Sequence, residues 1–371
     1  MSTTTPEPSL GSRVLTGLRI LVSPRGAVFV LLAILLVSIA LLNPNFADPS
    51  QFIRFIQRVA PVAIVAIGQY FVIVSGEFDL SMGAVIATQV VLAGNLIGQD
   101  ESKIVPVTLL MVAVGIAIGL VNGLVTTILK VPSIIVTLGM MLALTGIVYF
   151  VTGGSASGNP ADSFRELGRG GIRDVPVVDI IPWSVIILAG VLAIAIWVSK
   201  SPYGKTLIAA GDNVTTQRFS GVRVWWVKTS AFVISAVCST IAGVLLVGYA
   251  GVHPSVGRGY EFIAITAVVL GGVVLGGGRG WVVAAVAGAF TLEALFTLLN
   301  FADVPSTWRD TIQGVIIIAA VAYSAVAFRA RRKGRAPLAS PLAESPQTEK
   351  EPAPAGDPAE PAPHTQQTNG G

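Results

Sequence analysis

The sequence predicts an all-α, polytopic membrane protein with about ten transmembrane helices and both termini cytoplasmic. Three observations carry that expectation. Of 371 residues, 53% are hydrophobic and 12% charged, with a mean hydropathy of +0.76, which does not fit a soluble globular chain. Apolar runs of roughly 20 residues recur, the length a helix needs to cross the hydrocarbon layer with its backbone groups satisfied internally. Lys and Arg then divide unevenly between alternate loops, 16 of 24 falling on the side that holds both termini, as the positive-inside rule requires. The strands of an outer-membrane barrel would alternate apolar and polar residues, and these runs do not.

Residues 1–26 are polar and carry Arg13, Arg19 and Arg25 ahead of the first apolar run, Ala27–Leu42. No small-residue cleavage site follows, so this reads as a cytoplasmic N-terminal segment and an uncleaved anchor. Further spans are expected near 53–75, 81–98, 104–129, 133–152, 183–199, 227–250, 260–277, 280–299 and 308–328, within a transmembrane domain of 27–328. The loop 153–182 is rich in glycine, mixed in charge and external, long enough to meet a partner outside. Residues 329–371 begin basic and continue rich in Pro, Ala, Gln and Glu, with no large apolar residue after Leu342, and read as a disordered cytoplasmic tail. Cys238 lies alone in an apolar run and His253 and His364 are far apart, so neither a disulfide nor a metal site is expected. The net charge of +4 reports topology and not nucleic acid.

One inner loop, 200–226, looks like a docking surface. Gly204 and Lys205 open it, Ala210-Gly211-Asp212-Asn213 interrupts it, and Arg218 and Gly221 stand near the end of a second short piece. With Asn213 or Asp212 as N-cap and Gly221 as C′, Val214 to Ser220 reads as a helix of about two turns. So short a helix is not stable alone in water, and a protein partner is expected to pack on it.

Polar groups inside apolar runs mark the second region of interest. Glu77 and Asp79, with Ser81, interrupt two spans, and ionisable groups at membrane depth suggest function. Either Asp79 or Ser81 caps the third span at an inner turn, or the break lines or gates a path for a hydroxylated solute. Gly115, Gly119 and Gly123 form a close-packing ridge, and the adjacent Asn122 is an interhelical hydrogen bond or a solute contact. Gln69, Asn95, Thr137 and Glu293 add to a polar interior. The glycines around Arg279 lack the G-xxxx-G-K-[ST] pattern of a nucleotide loop and read as close backbone packing.

These residues resemble the membrane-spanning permease subunits of bacterial ABC importers for sugars, the ribose, xylose, galactose and arabinose permease family, over about 55–328. The resemblance rests on Gly76-Glu77-Phe78-Asp79-Leu80-Ser81-Met82-Gly83, on Asn122-Gly123 with Val131-Pro132-Ser133-Ile134-Ile135-Val136-Thr137-Leu138-Gly139, on Tyr203-Gly204 through Gly211-Asp212-Asn213 to Ser220-Gly221-Val222, and on Pro254, Gly259-Tyr260-Glu261 and Leu270-Gly271-Gly272 through Gly277-Gly278-Arg279-Gly280, in the family's order. Departures are Glu77 before the Asp-Leu-Ser, Thr215-Thr216 in place of alanines, Phe262 to Thr266, and Trp308-Arg309-Asp310; they bear on which solute fits.

The resemblance implies a transport subunit with no catalytic residue or cofactor of its own, ATP and Mg belonging to a partner ATPase. Gly204, Lys205, Ala210, Gly211, Asp212, Asn213, Arg218 and Gly221 would couple to that ATPase subunit. Gln69, Glu77, Asp79, Ser81, Asn122, Thr137, Glu261 and Glu293 are the candidate solute path or gate. It further implies a second permease subunit, a dimer of this chain or a near relative, an extracytoplasmic solute-binding protein, a place in the bacterial inner membrane, and a sugar or related polyol as cargo. The alternative is an ion-coupled secondary transporter using Glu77 and Asp79.

Overall fold

The computed structural model describes residues 26–305, 307–319 and 322. The expected N-terminal segment and C-terminal tail lie outside these. In chain order the elements are α1 (Ala27–Leu42), α2 (Pro49–Val74), α3 (Met82–Leu96), α4 (Ile104–Thr127), α5 (Ser133–Thr152), α6 (Asp162–Arg169), β1 (Gly171–Val175), β2 (Asp179–Pro182), α7 (Trp183–Lys200), α8 (Pro202–Asp212), α9 (Val214–Phe219), α10 (Val224–Ala250), α11 (Tyr260–Leu270) and α12 (Val282–Phe301). Helix resumes over 308–319, so only part of the expected tenth span is described.

Among the described residues, six helices are long and apolar enough to cross a membrane: α2, α4 with the turn before it, α5, α7, α10 and α12. The centre of the bundle is α2 and α10, buried over 83% and 72% of their apolar windows, whereas α5 and α7 are buried over only 17%. Leu142, Ile147 and Phe150 of α5 point outward. An apolar surface of that kind belongs in lipid or against another membrane subunit.

The glycine ridge of α4 does what its spacing requires. A Cβ at Gly119 would sit 2.7 Å from the Val233 Cα and one at Gly123 2.6 Å from the Thr229 Cα, so α4 and α10 touch backbone to backbone. A polar contact joins the same region: Gln89 of α3 donates through Nε2 to the Met111 carbonyl of α4 and to Thr240 Oγ1 of α10, each at 2.9 Å.

Three expectations need correction. The expected span 260–277 is a helix only to Leu270; Gly271 and Gly272 then end it, the first pressed against the Ala284–Ala285 backbone of α12. The segment 153–182, expected as an external loop, contains secondary structure of its own. It contains α6 and an antiparallel β1–β2 hairpin in which Ile172 faces Ile181, a small exception to an all-α chain. Phe164 anchors α6 in the core, and Gln57 Nε2 of α2 donates to the Gly168 carbonyl at 3.1 Å. The segment 200–226, expected as an inner loop with one short helix, holds two helices, α8 and α9.

A crossing of two helix starts and an exposed docking helix

Neither α3 nor α11 spans the bundle. Fifteen residues give α3 a length of about 22 Å and eleven give α11 about 16 Å, both short of the roughly 30 Å of a hydrocarbon core. The chain from Gly76 to Ser81 supplies the rest of the first crossing as non-helical backbone. Its depth can be read from its neighbours. A Cβ at Gly68 would lie 3.2 Å from the Met82 side chain, and Gly68 is six residues, about 9 Å, up α2 from its end. Helix α3 therefore begins inside the bundle. There it meets the start of α11: Gly83 closes on Glu261 and on the Gly257 carbonyl, leaving no room for a Cβ. Two helix N-termini converge, each with its partial positive charge facing a carboxylate, Asp79 before α3 and Glu261 in the first turn of α11.

Three backbone donors of this non-helical stretch, those of Phe78, Leu80 and Ser81, are met by side chains. The Phe78 N–H donates to Ser133 Oγ and the Leu80 N–H to Thr137 Oγ1, both at 3.1 Å, so the first turn of α5 serves as the strand's hydrogen-bond partner. Asp79, 1% exposed, accepts three bonds: from the Ser81 N–H at 2.9 Å and the Ser81 hydroxyl at 2.6 Å on Oδ1, and from the Ser235 hydroxyl of α10 at 2.6 Å on Oδ2. Asn122 Nδ2 donates in turn to Ser81 Oγ at 2.9 Å. Asp79 thus closes the turn into α3 and ties that turn to α10.

Glu77, at the mouth of the break, pairs with Lys228 of α10 at 2.6 Å, the two side chains 18% and 10% exposed. Of the expected path residues, Glu77, Asp79, Ser81, Asn122, Thr137 and Glu261 gather here. Gln69 lies on α2 beside the crossing, fully buried, with neither amide atom hydrogen-bonded among the described residues; the Asn122 Oδ1 is likewise free. Glu293 is elsewhere, on α12 within Coulombic reach of Arg58 and Arg309. Sequence reasoning missed Ser235, Ser133 and the Lys228 pairing. A serine in an apolar run carries no outward signal, and Lys228 reads only as an inner-side charge.

At the same end of the bundle, α8 is anchored and α9 is not. Ser201 caps α8 with Pro202 at its first position, and Leu207 and Ala210 are buried. Tyr203 is held by the Ser230 hydroxyl at 2.9 Å, and burial pushes its phenol up to about 12. Gly211 meets the Val74 carbonyl at the end of α2 so closely that a Cβ has no space, and the Gly278 N–H donates to that same carbonyl at 2.9 Å. Gly211 therefore sits where the end of α2 and the turn between α11 and α12 meet. Helix α9 follows at once. Asn213 Oδ1 accepts the Thr216 N–H at 2.9 Å, and at the other end the Gly221 N–H reaches the Arg218 carbonyl and the Val222 N–H the Gln217 carbonyl, with Gly221 at φ +80°. Both ends are capped as the sequence predicts, yet no residue of α9 is buried and Phe219 is 90% exposed.

Of the remaining coupling candidates, Gly204 packs against the end of α7, Lys205 and Asp212 are exposed on α8, and Arg218 turns toward the end of α4. Among the described residues there is no group of three or more His, Cys, Asp or Glu fit to hold a metal ion.

A bundle of membrane-spanning helices broken by a polar crossing, with a bare helix at one end, defines a membrane transport component. The chain belongs to the family described as branched-chain amino acid transport system / permease component, which matches residues 51–321. It is 32% identical over 302 residues to the ribose import permease protein RbsC of Bacillus subtilis, covering 79% of this chain and 90% of that one. It is 31% identical over 297 residues to RbsC of Escherichia coli K12, covering 78% and 90%, and 32% identical over 312 residues to the L-arabinose transport system permease protein AraH of the same organism, covering 82% and 91%. No solved structure matches the chain at a significant level. The chain is accordingly a multi-pass permease subunit of the bacterial cytoplasmic membrane, a transport component and not an enzyme, and the resemblance to sugar-importer permeases is borne out.

Proposed function

We propose that this permease carries a sugar or related polyol inward by alternating access, driven by a separate ATPase subunit that docks on α9. In this reading the end of the bundle holding α8 and α9 is cytoplasmic, both termini lie on that side, and α6 with the β-hairpin faces a solute-loaded binding protein outside. ATP and Mg are held by the ATPase. The outward face of α5 meets lipid or a second permease subunit, which is another copy of this chain.

The observation that carries the reading is the contrast between α8 and α9. A six-residue helix capped at both ends but buried nowhere lacks the packing that stabilises so short an element, and a partner's groove supplies it. Force applied to α9 passes through Asn213 to Gly211, and from there by direct backbone contact to the end of α2 and to the α11–α12 turn, the two elements that border the crossing. The cargo class is supported by the relatives named for ribose and arabinose and by the unmatched Gln69 amide and Asn122 Oδ1, which suit hydroxyl groups of a solute in transit. The ion-coupled alternative loses support, because Glu77 is held by Lys228 and both Asp79 oxygens are occupied.

The test is ATP hydrolysis by the permease reconstituted with an ATPase subunit and a binding protein, with sugars and polyols added singly. Stimulation that requires both the binding protein and one solute is the expected result, and Phe219→Ala should abolish it while leaving the permease's thermal midpoint unchanged. Uptake driven by an ion gradient without the ATPase would overturn the proposal.

A further inference from the structure

A cavity of about 430 Å³ opens beside the docking helix, and none of the crossing's residues lines it. Its walls are Thr127 and Ile128 at the end of α4, Arg218 of α9, Val222 and Arg223 of the connecting turn, and Trp225 at the start of α10. Its lining contains two guanidinium groups and no carboxylate. Among the described residues neither Arg218 nor Arg223 forms an ion pair or a side-chain hydrogen bond, in contrast to Lys228 one turn along α10, whose charge is matched by Glu77.

The apolar surface next to the cavity indicates what brings an anion there. Ile128 and Leu129 are 55% and 68% exposed at the end of α4, and Trp225 and Trp226 are 42% and 53% exposed, their rings edge to face at 5.8 Å. Indoles at the end of a spanning helix mark the boundary between hydrocarbon and headgroups. The cavity therefore lies at headgroup depth, with lipid-facing side chains above it and two cations within it.

We propose that this cavity binds the phosphate headgroup of an anionic phospholipid, its acyl chains lying along the exposed end of α4. Basic pockets between spanning helices at a cytoplasmic surface suit such headgroups, and the planar fork of arginine suits a phosphodiester better than a lysine does. A lipid held there ties the turn between α9 and α10 to the bilayer surface, so the docking helix moves against a fixed point. The site depends on the membrane placement of this end and not on the identity of the solute or the ATPase.

The experiment is native mass spectrometry of the full-length permease in detergent, titrated with phosphatidylglycerol or phosphatidylcholine. Saturable retention of phosphatidylglycerol is expected, weakened about fivefold by R218Q or R223Q alone and about 30-fold by both, with phosphatidylcholine unaffected. R223K, which keeps charge but loses the fork, should fall between wild type and R223Q. Both arginines are exposed, so an unchanged thermal midpoint will confirm that the variants fold. Equal retention by the double variant overturns the proposal. Displacement of the lipid by millimolar inorganic phosphate reassigns the cavity to a soluble phosphate. Loss of ATPase association with lipid retention intact reassigns the arginines to a protein interface.

Discussion

The same three-residue turn occurs three times among the described residues, once in the interior and twice at the surface. Asp48-Pro49-Ser50, Asp79-Leu80-Ser81 and Asp100-Glu101-Ser102 each begin a helical segment, and in each the aspartate Oδ1 accepts from the serine N–H and hydroxyl. The distances are nearly identical, 2.8 and 2.7 Å, 2.9 and 2.6 Å, and 3.0 and 2.6 Å. What differs is the surroundings. Asp48 and Asp100 stand in the open, whereas Asp79 is buried and takes a third bond from Ser235 on α10. An identical local motif is thus an end cap at the surface and a tertiary tie in the interior. Water can replace any lost partner of the first kind and none of the second.

Replacing the buried carboxylate should therefore have the largest effect. Asp79→Ala leaves the Ser81 N–H and the hydroxyls of Ser81 and Ser235 without their acceptor, at a cost of about 3 kcal/mol or more. A collapse in folded yield and thermal midpoint in micelles is expected; a midpoint equal to wild type would mean that the crossing is hydrated and the comparison fails. Ser235→Ala removes only the bond that distinguishes Asp79 from its surface counterparts and should cost about 2 kcal/mol, since it leaves a buried acceptor without its donor. If it costs no more than an exposed serine, the tie to α10 carries nothing.

Two residues from Asp79, Glu77→Gln probes a contact that is only partly shielded. Its pair with Lys228 is shielded but not sealed, so breaking it should cost about 1–2 kcal/mol, below the 3–5 typical of a fully buried pair. A double-mutant cycle with Lys228→Met in the same thermal assay reads the coupling directly; additive losses would show that the two charges do not support each other.

Much of this architecture is legible in the sequence because the physics is local. Apolar runs mark most spans, Asn213 and Gly221 delimit α9 within a residue, and the Gly115–Gly119–Gly123 ridge finds its partner helix. The misses share another cause. Gly204 and Gly211 look like helix breakers and are instead helical positions where another backbone comes too near for a Cβ, so α8 is invisible to propensity. The early end of α11 is set by packing of Gly271 on α12, and the hairpin by docking of its loop on α2 and α10. In the candidate site the residues that interrupt apolar runs are visible, while their partners are not. Ser235 and Ser133 are ordinary in their own segments and acquire meaning only when α10 and α5 are brought to the break.

The smallest effect belongs to the exposed pair, and pH isolates it. The serine bonds hold the Asp48 and Asp100 carboxyls below the ordinary carboxylate value, so folding favours their charged forms. A group depressed on folding contributes its stability fully above the unfolded-state value and loses it as pH falls through the folded one. Asparagine can accept the same two bonds without charge. The permease carrying both Asp48→Asn and Asp100→Asn should thus unfold at a slightly lower temperature than wild type at neutral pH, and the gap should close below about pH 4 as the wild-type carboxyls protonate. A gap that persists unchanged into acid would assign the difference to turn geometry and not to charge. The surface turns would then be stabilised by the same shape as the buried one, and Asp79 would differ from them only in having Ser235.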